Sequence, residues 1–170
     1  MKQGAGFRVK GLVRVCGMLI AVVGALQAQQ IQLGQTQPRG KDHVALLSDA
    51  VEVPAGRPQA VELRFRVDEG FHINSHTPKD ELLIPTALKL DAAGGQKVLG
   101  EQYPAGAPFR LTLGAGETLD VYQGEFRVTV RIVVPKGQSD LVGSLHYQAC
   151  DNAACFPPRT LPVKIAVMGN

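Results

Sequence analysis

Period-two alternation is the feature that most limits how this chain can fold. Val61, Leu63, Phe65 and Val67 alternate with Glu62, Arg64 and Arg66, and Phe126, Val128, Val130 and Ile132 alternate with Arg127, Thr129 and Arg131. Successive strand side chains point to opposite faces, so each run reads as a strand with one face in a core and one in water. Shorter strand candidates are His43–Leu47, Ala50–Val53, Thr86–Leu90, Phe109–Leu113, Val142–Ala149 and Leu161–Val167. Turn-forming clusters separate them: Pro54-Ala-Gly56, Asp68-Glu-Gly70, Ala93-Gly-Gly95, Pro104-Ala-Gly106 and Pro135-Lys-Gly137. Only Asp80–Leu83 reads as the start of a helical turn, and Pro85 stops it. Strands at this spacing predict an all-β sandwich, and 45% hydrophobic residues suffice for its core. Neither an internal repeat nor a second domain boundary interrupts the pattern.

The charge is unevenly placed. Lys2, Arg8, Lys10 and Arg14 are four of the 18 basic residues, and residues 1–28 hold none of the 15 acids, so the rest of the chain carries 14 basic against 15 acidic groups. That balance offers no basic surface for a nucleic acid, and aromatic content of 5% without Trp offers no stacking platform. The basic stretch precedes the apolar run Val15–Leu26, with small residues at Ala25 and Ala28. This is the order of a secretory signal peptide, and 12 apolar residues fall short of the roughly 20 that span a bilayer. The expected organisation is a signal peptide over 1–28, a flexible polar lead-in over 29–42 and one β-sandwich domain over 43–168. Cys16 sits inside the apolar run and leaves with it.

Two cysteines remain, Cys150 and Cys155, in Tyr147-Gln-Ala-Cys150-Asp-Asn-Ala-Ala-Cys155-Phe-Pro-Pro158. An exported chain meets an oxidising compartment, where such a pair can form a disulfide. Asp151-Asn152 supplies turn chemistry, and a turn of this length can bring the Cα atoms within the roughly 4.4–6.8 Å that a disulfide uses. Pro157 and Pro158 fix the exit of the loop. Leu145, Tyr147 and Ala149 share one strand face, and His146, Gln148 and Cys150 the other. If the alternation holds to its end, Cys150 emerges on the polar side, where a disulfide exchanges with other thiols. The spacing equally fits a structural disulfide that staples a hairpin in a non-catalytic secreted binding module, although so short a closed loop removes little chain entropy.

Tyr147-Gln-x-Cys150-Asp-x-x-x-Cys155-Phe-Pro-Pro158-x-Thr160 resembles the cysteine motif of the N-terminal periplasmic domain of the thiol:disulfide interchange reductase DsbD. Gly70-Phe-His-Ile-Asn-Ser75 followed by Leu83-Ile-Pro-Thr86, and Val121-Tyr-Gln-Gly-Glu125, are similar to further stretches of that family, so the resemblance covers about residues 43–167. It implies an immunoglobulin-like sandwich in the periplasm that relays electrons through Cys150 and Cys155, without a cofactor, between a membrane-embedded thiol reductase and thioredoxin-like proteins. By the same resemblance Cys155 bonds the partner and Cys150 resolves. An aromatic cap loop covers the pair in that family, and Tyr103 in Glu101-Gln-Tyr-Pro104 is the candidate here. His72, Tyr147 and Phe156 are candidates for the surrounding shell. The sequence has no multi-helix membrane segment and no Cys-x-x-Cys pair, so the partners are expected on separate chains and the membrane is reached only through them.

The remaining motifs point to no other chemistry. His72 and His76 share a strand face but sit roughly 13 Å apart on an extended chain, so they read as loop or surface histidines and no metal is expected. Gly114-Ala-Gly116 lacks the flanks of a phosphate loop. The charge split carries one expectation. Intact-mass measurement on exported protein should find a mature chain beginning near Gln29 and lacking Cys16; the full 170-residue chain in that fraction would refute it.

Overall fold

Twelve strands form among the residues described by the computed structural model, 41–91, 94–111 and 117–170. The expected signal peptide, most of the lead-in and the Gly114-Ala-Gly116 turn lie outside the described residues. In chain order the strands are β1 (Val44–Leu46), β2 (Val51–Val53), β3 (Gln59–Val67), β4 (His72–Asn74), β5 (Ala87–Asp91) and β6 (Lys97–Gln102), then β7 (Ala107–Arg110), β8 (Thr118–Tyr122), β9 (Glu125–Val133), β10 (Gly137–Tyr147), β11 (Ala149–Cys150) and β12 (Arg159–Gly169). They form three sheets in the orders β1-β3-β9-β6, β2-β12-β10-β5 and β11-β4-β8-β7. Every pairing is antiparallel except β12 with β2.

The alternation in β3 and β9 does what its period dictates. Val61, Leu63, Phe65 and Val67 are buried, as are Phe126, Val128, Val130 and Ile132. In register they face one another, Val61 with Val130, Leu63 with Val128 and Phe65 with Phe126, and the last two rings stack at 5.3 Å. From the second sheet Leu88, Leu141, Leu145, Tyr147, Val163, Ile165 and Val167 complete the same core. The third sheet adds Ile73, Tyr122 and Ala149 to it. The fold is an all-β, immunoglobulin-like sandwich.

Two expected strands change in detail, and the expected short turn before Pro85 is present. Val142–Ala149 is not one strand: β10 ends at Tyr147, and after Gln148 the chain joins the third sheet as β11, paired with β4. The strand expected at Phe109–Leu113 lies at Ala107–Arg110, and 112–113 fall outside the described residues. Asp80–Leu83 is a single turn, with the Leu83 amide donating to the Asp80 carbonyl at 3.1 Å. Gly143 lets β5 approach β10, because a Cβ there would meet the Lys89 carbonyl.

The split between core and surface on one strand is measurable. Leu145→Ala should cost about 2–5 kcal/mol in urea unfolding, since it removes fully buried methyl groups. Val142→Thr, on the same strand at an exposed position, should stay within about 0.5 kcal/mol. Equal costs would contradict the observed facing of β10.

Candidate functional site

The cysteine segment is the excursion that links β10 to β12. Those strands pair from Gly137–Gly169 to Tyr147–Arg159, so residues 148–158 project from the end of a long ladder. The projection folds back on itself. The Phe156 amide donates to the Ala149 carbonyl at 2.8 Å, and the Asp151 amide donates to the Ala154 carbonyl at 2.9 Å. Cys150 and Cys155 lie opposite each other between these bonds, the non-hydrogen-bonded position at which facing side chains come closest. They form a disulfide with Cα atoms 3.9 Å apart, closer than the roughly 4.4–6.8 Å expected for a disulfide. Direct pairing across a miniature hairpin brings the two residues toward the short end of that range, about 4.5 Å for a non-hydrogen-bonded pair.

Asp151 closes the turn. Its Oδ1 accepts the Ala153 amide at 2.7 Å and the Ala154 amide at 2.8 Å. Those donors hold its carboxyl below the usual carboxylate range. Gln148, at the sheet change, donates to the Phe156 carbonyl at 3.1 Å and ties both arms of the hairpin together.

The two sulfurs sit in unlike surroundings. Cys155 is exposed, with Asn152, Ala153 and Ala154 exposed before it and Phe156 after it. Cys150 is only 2% exposed, which corrects the expectation that leaving the core face would bring it to the surface. The parity itself is right: Tyr147 and Ala149 face the core and Cys150 faces away from it. That second face is covered by other elements. A cavity of about 340 Å³ borders the pair, walled by His72, Leu83, Leu111 and Leu119, with Asp80 and Glu117 beside them. A groove of about 550 Å³ shares Asp80, Leu83, Glu117 and Leu119 with it and continues along Lys79–Leu83, where Leu82 is 90% exposed.

His72 belongs to this neighbourhood. It stands opposite Cys150 in the β4–β11 register, is 1% exposed, and lies against the Phe109 ring at 4.2 Å. Burial lowers its proton affinity, and the Asp151 charge works in the opposite direction. Phe156 is anchored beside the loop, its ring 5.8 Å from Phe71 and 5.5 Å from His43. Tyr147 is fully buried in the core beneath the segment. Tyr103 is placed elsewhere: its ring stacks on His76 at 3.6 Å, its hydroxyl accepts the Leu88 amide at 2.7 Å, and it does not line the cavity at the disulfide. His72 and His76 therefore serve different aromatic contacts, and among the described residues no three His, Cys, Asp or Glu side chains converge as a metal site. Leu111, Leu119 and Phe109 are the neighbours that sequence reasoning missed. Nothing in their local pattern distinguishes a cover residue from a core residue.

A family model, that of the N-terminal domain of the thiol:disulfide interchange protein DsbD, matches residues 44–166. Among solved structures, the reduced N-terminal domain of DsbD from Neisseria meningitidis is 20% identical, with a TM-score of 0.43 over 64% of this chain and 77% of that one. The N-terminal periplasmic domain of ScsB from Proteus mirabilis is 15% identical, with a TM-score of 0.46 over 72% of this chain and 47% of that one. A PapD-like domain of human CEP192 is 9% identical, with a TM-score of 0.34 over 75% of this chain and 85% of that one. No curated protein matches the chain.

The loop geometry has a pH signature. Asp151 is ionised in the ordered loop and its proton affinity is depressed there, so the order it provides is complete above the ordinary carboxylate range and is lost as pH falls through its lowered value. Hydrogen-exchange protection of the Ala153 and Ala154 amides should follow that sign. Asp151→Ala should remove the protection at every pH, and unchanged protection would show that the carboxylate does not hold the turn.

Proposed function

The chain belongs to the family of the N-terminal domain of the thiol:disulfide interchange protein DsbD, and from that membership we propose that it relays electrons by thiol–disulfide exchange through Cys150 and Cys155. The observation that carries the reading is the unequal exposure of one disulfide, with Cys155 open to a partner and Cys150 covered.

The chemistry follows from that asymmetry. A partner thiolate reaches the sulfur of Cys155 more readily than that of Cys150. Attack forms a bond between the partner and Cys155, breaks the Cys150–Cys155 bond and leaves the electron pair on Cys150. A second partner thiolate then attacks the partner's own sulfur and releases Cys155. Two electrons and two protons have entered the domain, and the partner has become a disulfide. Run backward, Cys150 resolves the mixed disulfide and the domain discharges its electrons. The step needs no cofactor.

The partners that suit this reading are a membrane-embedded thiol reductase on one side and thioredoxin-like proteins on the other. The signal peptide over 1–28 and the lead-in over 29–42 would deliver the domain, 43–168, to the periplasm. A purely stapling role has less support. The bridge closes a hairpin that two backbone hydrogen bonds and Asp151 already hold, and so short a loop gains little entropy from closure.

Single-cysteine variants test the assignment. Cys150→Ala suits the covered position better than Ser, whose hydroxyl would cost about 1–3 kcal/mol there if unpaired. Incubated with a thioredoxin-like dithiol protein, Cys150→Ala should accumulate a mixed disulfide through Cys155, because its resolving thiol is gone. Cys155→Ala should capture little. Non-reducing electrophoresis with mass spectrometry of the adduct reads the result. Capture through Cys150 alone would reverse the roles, and capture by neither variant would sink the exchange reading.

A further inference from the structure

The buried sulfur raises a question of proton supply that the exchange chemistry leaves open. Whenever the disulfide is reduced, Cys150 holds a thiol or thiolate in a pocket walled by Leu83, Leu111 and Leu119. Apolar surroundings disfavour the thiolate, yet the thiolate is the form that must attack to resolve a mixed disulfide. A base inside the pocket would reconcile the two.

Rested on the exchange reading above, we infer that His72 is the proton acceptor and donor of Cys150. Three observations point to it. The β4–β11 register sets His72 directly opposite Cys150, and facing residues of an antiparallel pair project to the same side with Cβ atoms about 4.5–5.5 Å apart. Both residues line the same cavity. The Nε2 atom of His72 is buried and has no hydrogen-bond partner while the disulfide is closed. Buried ring nitrogens ordinarily find a partner, and a thiol at Cys150 provides one when the bridge opens.

The charges around the ring suit a transient imidazolium. Asp151 follows Cys150 in the loop, Asp80 comes from the 80–83 turn and Glu117 from the residue before β8; all three border the cavity. β7 contributes the uncharged Phe109 ring. Burial favours the neutral imidazole at rest, which is the form that accepts a proton.

The resolving step then balances within the site. Neutral Nε2 takes the proton of the Cys150 thiol, and the thiolate attacks the sulfur of Cys155 in the mixed disulfide. The Cys150–Cys155 bond forms, and the bond from Cys155 to the partner breaks. The electron pair leaves on the partner sulfur, which takes up the proton that His72 gives back through the cavity. In reduction of the domain the same proton travels the other way.

Reduced protein mixed with glutathione disulfide isolates that step, because acid quenching and mass spectrometry count the glutathionylated intermediate as it decays. With His72 present, the decay should be nearly flat between pH 7 and 8. In His72→Gln it should depend on ionisation of the thiol alone, whose ordinary pKa is about 8.5 and which burial raises, so the rate should be about tenfold lower at pH 7 and climb about tenfold per pH unit. His72→Leu should behave likewise, and thermal unfolding of both variants checks their folds. In the unaltered protein, the imidazole resonances of His72 should titrate differently in the reduced and oxidised states, while the pH slope of the variants separates proton transfer from a merely structural role. The same pH slope with and without His72, or identical titrations in both redox states, overturns the role of His72 alone. No glutathionylation of the reduced parent protein overturns it together with the exchange reading.

Discussion

The pairing of β10 with β12 is the constraint from which the rest of the molecule follows. Each strand contributes 11 residues to one antiparallel ladder, with Leu141, Leu145 and Tyr147 on one side of it meeting Val163, Ile165 and Val167 in the core. A ladder this long fixes where it ends, and its open end at Tyr147–Arg159 is where the cysteine hairpin begins. β5 can lie against its other edge only because Gly143 carries no side chain in the path of the Lys89 backbone. The position of the disulfide is therefore set by core packing some distance away, not by the disulfide itself.

That separation matters for a bond that opens and closes. The hairpin of 149–156 is closed by backbone bonds, by the Asp151 carboxylate and by Gln148, none of which needs the sulfur–sulfur bond. The core that carries most of the stability lies on the other face of β11, around Ala149, Tyr147 and Ile73. Breaking the bridge consequently exposes no core side chain, and the geometry that presents Cys155 can outlast reduction. A disulfide placed between the main sheets would have coupled redox state to folding.

The sequence made some of this legible and concealed the rest for identifiable reasons. The facing of β3 and β9 could be read residue by residue, because a two-residue period over nine positions has one solution. β4 could not: His72, Ile73 and Asn74 are all buried, so no alternation marks them. β6 hides behind a register shift between Val98 and Gly100, and β11 is two residues long. The cysteine motif was visible, and the parity of 145–150 gave the correct face for Cys150. What parity cannot say is what covers that face, and here the cover comes from the 80–83 turn and from Leu111 and Leu119, remote in sequence. Tyr103 failed as a cap candidate for the same reason. Its ring found His76, a contact that depends on how two loops meet.

The surroundings of the pair also say what kind of exchange this domain can perform. Among the described residues there is no helix, so no helix N-terminus lies beside either sulfur to depress its pKa as in thioredoxin-type sites. Apart from His72 and Asn152, the groups bordering the pair are apolar or acidic, and both classes favour the thiol over the thiolate. Fast exchange then requires a partner that brings its own low-pKa thiolate, or that displaces water and acid from the groove when it docks. On the exchange reading, the cover over Cys150 and the acidic border act together as kinetic selection. The cover keeps a second molecule from the sulfur of Cys150, while Cys155 stays open to a partner built to reach it.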